Sequence, residues 1–324
     1  LEVGVYVKSF GEMTKNDTEE AGGKAANLSE MTQLGFPVPP GFCVTSPSLE
    51  YHVEANGLGS QIDAIVASFD FDDYEGMESK TGEIRELIHN APIPADLLEE
   101  IEGAIQALVG ADDAFVAVRS SVSVKGSTIT SFPGMMDTYH YLKGDEIVDH
   151  VKKCWASLWT TRATFNRHHK GVDQKLGLIS AIVQRMVFSE VSGILFTANP
   201  ITSARDELVI EANWGLGESV VSGKSMNDFY LIDKNTLEEK QRKIARKTFW
   251  VTFDDEAGYG RKEEATPAEL QEKETLTREQ VRRLAETGLR IEAAFGDPQD
   301  IEWAYADETM YILQARKIRN LADA

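Results

Sequence analysis

Apolar residues recur at helical spacing after Gly22-Gly23-Lys24, at Ala25, Leu28 and Met31, which predicts a glycine turn feeding a helix over residues 22 to 34. The Pro-rich run 35 to 41 excludes helix, and Phe42-Cys43-Val44-Thr45 suits a short strand. Residues 60 to 110 are acidic and mostly helical in pattern, with Leu97, Leu98, Ile101, Ile105 and Leu108 on one stripe. Phe115 to Arg119 is a compact strand candidate, followed by a long polar loop from Ser120 to Asp137 and a helix over about 145 to 168. The second half is sheet-rich, with strands predicted at 179 to 187, 193 to 198, 207 to 213, 227 to 232 and 249 to 253. The charged stretch 254 to 276 reads as a surface excursion. Thr277 and Gln280 match a capping box that opens a helix ended by Gly296 and Pro298. A hairpin, Asp300 to Tyr305 with Thr309 to Gln314, completes the pattern.

This much alternating structure in 324 residues, 42% of them hydrophobic, implies about two domains with real cores. The division is expected at 188/189, giving an N-terminal lobe 1–188 and a C-terminal lobe 189–324. A net charge of −20 without a dense Lys/Arg run argues against nucleic acid as a partner. Any bound phosphate must be held by local cations, backbone NH groups or metal against an unfavourable field. No apolar stretch reaches the roughly 18 residues of a membrane span, and the first ten residues lack a signal-peptide pattern, so the expected location is cytoplasmic. The two cysteines, Cys43 and Cys154, form no metal or disulfide motif.

Two nucleotide signatures nearly occur and fail on spacing. Gly223-Lys224-Ser225 would need Gly at the position of Glu218 for a P-loop, and Gly215-Leu216-Gly217 would need Gly or Ala at the position of Val220 for a dinucleotide fingerprint. More informative are Lys24 at a glycine-led helix start and Arg119 at the end of an apolar strand, since a strand interior rarely holds a guanidinium without a partner. The loop containing Gly126 and Gly134, with its Ser and Thr residues, could supply donors to polyphosphate oxygens; an ordinary mobile loop is the alternative. For the terminal hairpin, a three-residue loop Ala306-Asp307-Glu308 puts Asp300, Glu302, Ile312, Gln314 and Arg316 on one face. A two-residue loop would instead bury Glu302 beside Tyr311 and Leu313, so the three-residue loop is expected. Glu302 and Gln314 offer hard oxygen donors of the kind Mg2+ takes alongside substrate phosphates. His168 and His169 are adjacent and cannot chelate one ion as an i, i+4 pair could, and the other four histidines have no supporting cluster.

Taken in order, GGKAANL at 22–28, FPVPPGFCVT at 36–45, VAVRSS at 116–121, SFPGMMDT at 131–138, SGILFTANP at 192–200, NWGLGESVVSG at 213–223, and DIEW with ILQAR at 300–316 resemble the ATP-binding module shared by phosphoenolpyruvate synthase, pyruvate phosphate dikinase and rifampicin phosphotransferase. The resemblance runs from about residue 9 to residue 318. It implies an α+β, ATP-grasp fold of two lobes with ATP held between them and Mg2+ bridging the phosphates. By the same resemblance Lys24 and Arg119 contact the polyphosphate, Glu302 and Gln314 the metal, and Arg316 the phosphate in transfer. Gln184 and Met186, in an adenine-side strand Gln184 to Val187, lie nearest the base, and the loop around Gly134 closes over the phosphates.

Relatives that complete the reaction carry a histidine in a Gly-rich Thr/Cys-His-Ala setting on a swivelling domain, and none of the six histidines here has that context. The sequence therefore predicts an ATP-dependent phosphotransferase module that passes phosphate to a histidine on a partner chain or domain, giving AMP and Pi, with pyruvate or phenol as final acceptor. The phenol case follows from the likeness to phenylphosphate synthase, which keeps its ATP-binding subunit separate; a truncated larger dikinase carries the same residues. The alternatives are an ATP-grasp ligase that forms an acylphosphate and releases ADP, and a non-catalytic ATP sensor.

Overall fold

The computed structural model describes residues 6–127, 137–319 and 321–322. Its contacts divide the chain into two compact units, Leu1–Gln33 with Pro40–Met186, and Leu34–Pro39 with Val187–Ala324. Both are α+β with antiparallel sheets.

The first unit contains β1 (Val7–Ser9), α1 (Thr18–Gln33), β2 (Gly41–Val44), α2 (Ser46–Ala55), α3 (Gly59–Ala67), α4 (Tyr74–Asn90), α5 (Ala95–Val109), β3 (Val116–Val124), β4 (Thr138–Leu142), α6 (Asp145–Ser157), α7 (Thr161–His169) and β5 (Gly177–Arg185). Its strands pair in the order β1-β2-β5-β3-β4. Along β3 the residues alternate between two buried faces. Val116, Val118, Val122 and Val124 join Ile84, Leu97, Ile101, Val151 and Trp155 in an apolar core. Arg119, Ser121 and Ser123 face the other way, where α1 packs.

Three expectations need correction here. The strand at 115–119 does not stop at Arg119: it continues through Ser120 to Val124, because β5 pairs with it along that whole length and both faces are covered. The predicted helix over 145–168 is two helices, broken at 158–160, where the Thr160 hydroxyl accepts from the Ala163 NH at 3.2 Å and restarts the chain as a cap. The loop expected from Ser120 to Asp137 therefore begins only after Val124, and β4 lies beyond its expected end, in a stretch assigned no element.

The second unit contains β6 (Val191–Phe196), β7 (Glu207–Trp214), α8 (Glu218–Val221), β8 (Asp228–Asp233), β9 (Glu239–Lys243), β10 (Phe249–Phe253), β11 (Arg261–Ala265), α9 (Ala268–Gln271), α10 (Arg278–Phe295), β12 (Gln299–Ala306) and β13 (Thr309–Lys317). Strands pair in the order β13-β12-β6-β7-β8-β9, with β10 and β11 as a separate ribbon. The stretch read as an excursion thus contains β11. Helix α10 has the predicted capping box, with Thr277 and Gln280 exchanging bonds at 3.2 and 2.9 Å, and ends at Gly296 with φ +81°. It lies close against the sheet: a Cβ on Gly288 would come within 2.5 Å of Leu195 Cδ2. The segment 34–39 is tied to this unit by the Ile312 NH donating to Pro37 O at 2.9 Å and by Arg290 over the Phe36 ring.

Among the described residues no helix is long and apolar enough to cross a membrane. Both cysteines are buried thiols, and burial pushes Cys43 up to about 12, so it is protonated at neutral pH.

Candidate functional site

In the first unit the polar face of β3 and β5 is organised around a break in α1. Gly22 has φ +74° and ψ 164°, outside helical geometry, and the helix resumes behind it. The Ala25 NH donates to Ser121 Oγ at 3.2 Å, so a serine from a neighbouring strand caps the restarted helix. The Ala21 carbonyl accepts from Ser180 Oγ, and Ser123 Oγ donates to the Glu19 carbonyl at 3.3 Å. Lys24 sits half-buried within this stitched turn. Arg119 projects from the same face two residues before Ser121, is 7% exposed, and donates from Nη1 to Gln184 Oε1 at 3.0 Å. The structure therefore joins Arg119 directly to Gln184 and holds Lys24 in the adjoining turn.

Gly22 is required by sterics. A Cβ there would lie 2.2 Å from Ser121 Oγ and 2.6 Å from its carbonyl carbon, at a φ that side chains rarely adopt. Gly22→Ala is expected to destabilise the protein by about 1–3 kcal/mol. Gly103→Ala, on the open face of α5 with nothing within 4 Å, should instead add about 0.5–1 kcal/mol. Urea midpoints of the two variants check the contrast.

Met186 follows β5, which ends at Arg185, so the predicted adenine-side strand to Val187 is shorter than read. The Met186 NH donates to Phe115 O at 2.8 Å. Gly134 lies outside the described residues.

In the second unit Glu302, Gln314 and Arg316 share one face of the terminal hairpin, by a route the sequence reading did not take. The turn is two residues long: Asp307 and Glu308 both have positive φ, +47° and +63°, and Ala306 pairs with Thr309. Carried through unchanged, that register would have set Glu302 against Leu313. A register shift between Glu302 and Trp303 inserts Leu313, so Trp303 faces Ile312 while Glu302 faces Gln314 and Asp300 faces Arg316. The expectation that Ile312 shares the Glu302 face is thereby corrected. Ile312 is buried on the Trp303 side, where a Cβ on Gly193 would meet Trp303 at 2.5 Å.

Asp300 was placed on this face by the sequence but given no role. Its Oδ2 accepts from Arg316 Nε at 2.8 Å, while its Oδ1 is buried with no hydrogen-bond partner. Burial pushes the Asp300 carboxyl up against the opposing pull of the Arg316 guanidinium. Among the described residues no group of three or more His, Cys, Asp or Glu could hold a metal. Glu302 and Gln314 with the open Asp300 oxygen are a hard-oxygen set that fits an ion taking the rest of its shell from phosphates and water.

The chain belongs to the family described as pyruvate phosphate dikinase, AMP/ATP-binding domain, which it matches over residues 18–324. Individual relatives span different reactions. It is 40% identical to the phosphoenolpyruvate synthase of Pyrococcus furiosus, over 98% of this chain and 44% of that protein. It is also 40% identical to the probable phosphoenolpyruvate synthase of Methanocaldococcus jannaschii, over 98% and 27%, and to the rifampicin phosphotransferase of Bacillus cereus, over 98% and 36%. The chain thus spans less than half the length of these curated relatives. A D-alanine–D-alanine ligase structure from Bacillus anthracis aligns over 76% of this chain and 57% of its own, but with 8% identity and a TM-score of 0.28 the likeness is too slight to carry an argument.

Proposed function

We propose that this chain is the ATP-binding part of a dikinase-type phosphotransferase of ATP-grasp type, with nucleotide-binding residues on both of its units. Phosphoryl transfer asks a protein mainly to position groups and neutralise charge, because the transition state is loose and its charge spreads over oxygens. Lys24 and Arg119 supply cations to the polyphosphate, and Gln184 and Met186 meet the base. Glu302 and Gln314 hold Mg2+, which when bound neutralises phosphate charge. Arg316, oriented by Asp300, meets the phosphate in transfer. The observation that carries this reading is the Glu302–Gln314 pair set opposite each other beside the Asp300–Arg316 ion pair. The family match supports ATP as the ligand.

In this reading phosphate passes from ATP to a histidine on a partner chain or domain, water is consumed, AMP and Pi leave, and the phosphohistidine delivers to pyruvate or phenol. The test is ATP labelled in its β-phosphate, incubated with this chain and the remaining portion of a full-length relative. Acid-labile label on the partner with AMP formed is expected. ADP with an acylphosphate would point to a ligase, and ATP binding without any turnover to a sensor.

A further inference from the structure

The strand register extends the Glu302 face across the sheet. Glu302 faces Ile194, Ile194 faces Glu211, and Glu211 faces Phe229, so Gln314, Glu302, Ile194, Glu211 and Phe229 form one row on one side. The other side of these strands, with Ile301, Leu195, Ile210 and Tyr230, is fully buried. On the Glu302 side, Ile194, Phe196, Glu211, Phe229 and Leu231 remain partly exposed.

Glu211 stands out in that row. It is a carboxylate on an interior strand between two apolar side chains, a placement that needs a partner. One is present: Asn227 Nδ2 donates to Glu211 Oε2 at 3.2 Å. Asn227 is itself fixed, donating to Val220 O at 3.0 Å and accepting from Asn213 Nδ2 at 3.3 Å. The carboxylate is thus oriented before any ligand arrives, with its second oxygen available as an acceptor.

We propose that Glu211 accepts a ribose hydroxyl of the bound nucleotide and makes this site prefer ribonucleotides over their deoxy counterparts; this rests on the reading of the Glu302 face as a nucleotide site. Three ligand groups could meet a carboxylate here. Phosphate is repelled by it. An ion is better met by Glu302, which has Gln314 directly opposite it, than by Glu211, which lies two strand spacings away with Ile194 between them and Phe229 as its neighbour on β8. A sugar hydroxyl donates to a carboxylate, and its carbon skeleton suits the apolar flanks of Ile194 and Phe229.

The test measures binding of ATP, 2′-deoxy-ATP and 3′-deoxy-ATP, each with Mg2+, to the full chain and to its Glu211→Ala and Glu211→Gln variants. The unaltered chain should bind ATP about 10-fold or more tighter than at least one deoxy analogue. Glu211→Ala should weaken ATP and bring that ratio to about one, with Glu211→Gln between, because its amide oxygen still accepts. Both variants should keep their Mg2+ dependence and the parent's melting temperature. An unchanged ATP-to-deoxy-ATP ratio in Glu211→Ala overturns the inference while leaving the nucleotide site standing. Loss of Mg2+ dependence in Glu211→Ala overturns it in favour of a metal role. Absence of any MgATP binding by the unaltered chain would bring down the site reading itself.

Discussion

Replacing Lys247 by methionine is expected to cost about 3–5 kcal/mol of stability, the largest single loss anticipated in the second unit. Lys247 and Asp228 are both fully buried, with Nζ 2.7 Å from Oδ1. The pair is completely dressed: Lys247 also donates to Ala245 O at 2.8 Å, and Asp228 accepts from the Ala245 NH at 2.9 Å and from the NH and hydroxyl of Thr275 at 2.9 and 2.8 Å. It ties the start of β8 to the chain before β10 and to the chain before α10. Methionine fills much of the same space but leaves Asp228 charged with no counter-ion in a low-dielectric interior. The double variant Lys247→Met with Asp228→Asn removes both charges and should recover most of the loss. Urea denaturation of the three proteins tests this; equal stability of the single variant and the parent would mean the pair is not held as a buried unit.

On the proposed function, changing Arg316 to alanine is expected to slow phosphate transfer to the partner histidine by about 10²–10³-fold, with a much smaller loss of ATP affinity. A cation acting on charge that develops during transfer stabilises the transition state more than the ground state, so the rate falls without a matching change in binding. The same substitution removes the hydrogen bond to Asp300 Oδ2 and leaves a buried carboxyl with neither oxygen engaged by the hairpin. Arg316→Lys should restore little, because an ammonium lacks the planar fork that lets one edge hold Asp300 while the other meets phosphate. Pulsed transfer measurements beside ATP titrations separate the two quantities. Equal losses in both would reduce Arg316 to a ground-state binding group.

Helix signals with strong local physics were legible in the sequence. The Thr277–Gln280 box and Gly296 bracket α10 because capping is decided within one turn of chain. Strands carrying an apolar face, such as β6, β7 and β8, were also legible. Those without one were not: β9 is Glu-Lys-Gln-Arg-Lys, and β11 alternates charges on both faces, so hydrophobic period had nothing to register. The serines of β3 concealed a strand for the same reason, and their polarity is what lets that face cap α1 and carry Arg119. The terminal hairpin was read to the right residues through a wrong turn. Asp307-Glu308 lacks the Asn-Gly signature of a two-residue turn, and the bulge at Leu313 that restores Glu302 to Gln314 depends on Trp303 and Ile312 packing together on the other face. Glu211 escaped notice because its kinship with Glu302 exists only through two successive strand pairings.

The most direct measurement is a calorimetric titration of ATP into the full chain with and without Mg2+, repeated on Glu302→Ala. Saturable binding that strengthens with Mg2+ in the parent, and loses that Mg2+ dependence in Glu302→Ala while the fold is retained, is the predicted result. ATP binding that is equally tight with and without Mg2+, or unaffected by Glu302→Ala, would contradict the assignment of the terminal hairpin as the metal-holding wall of a nucleotide site.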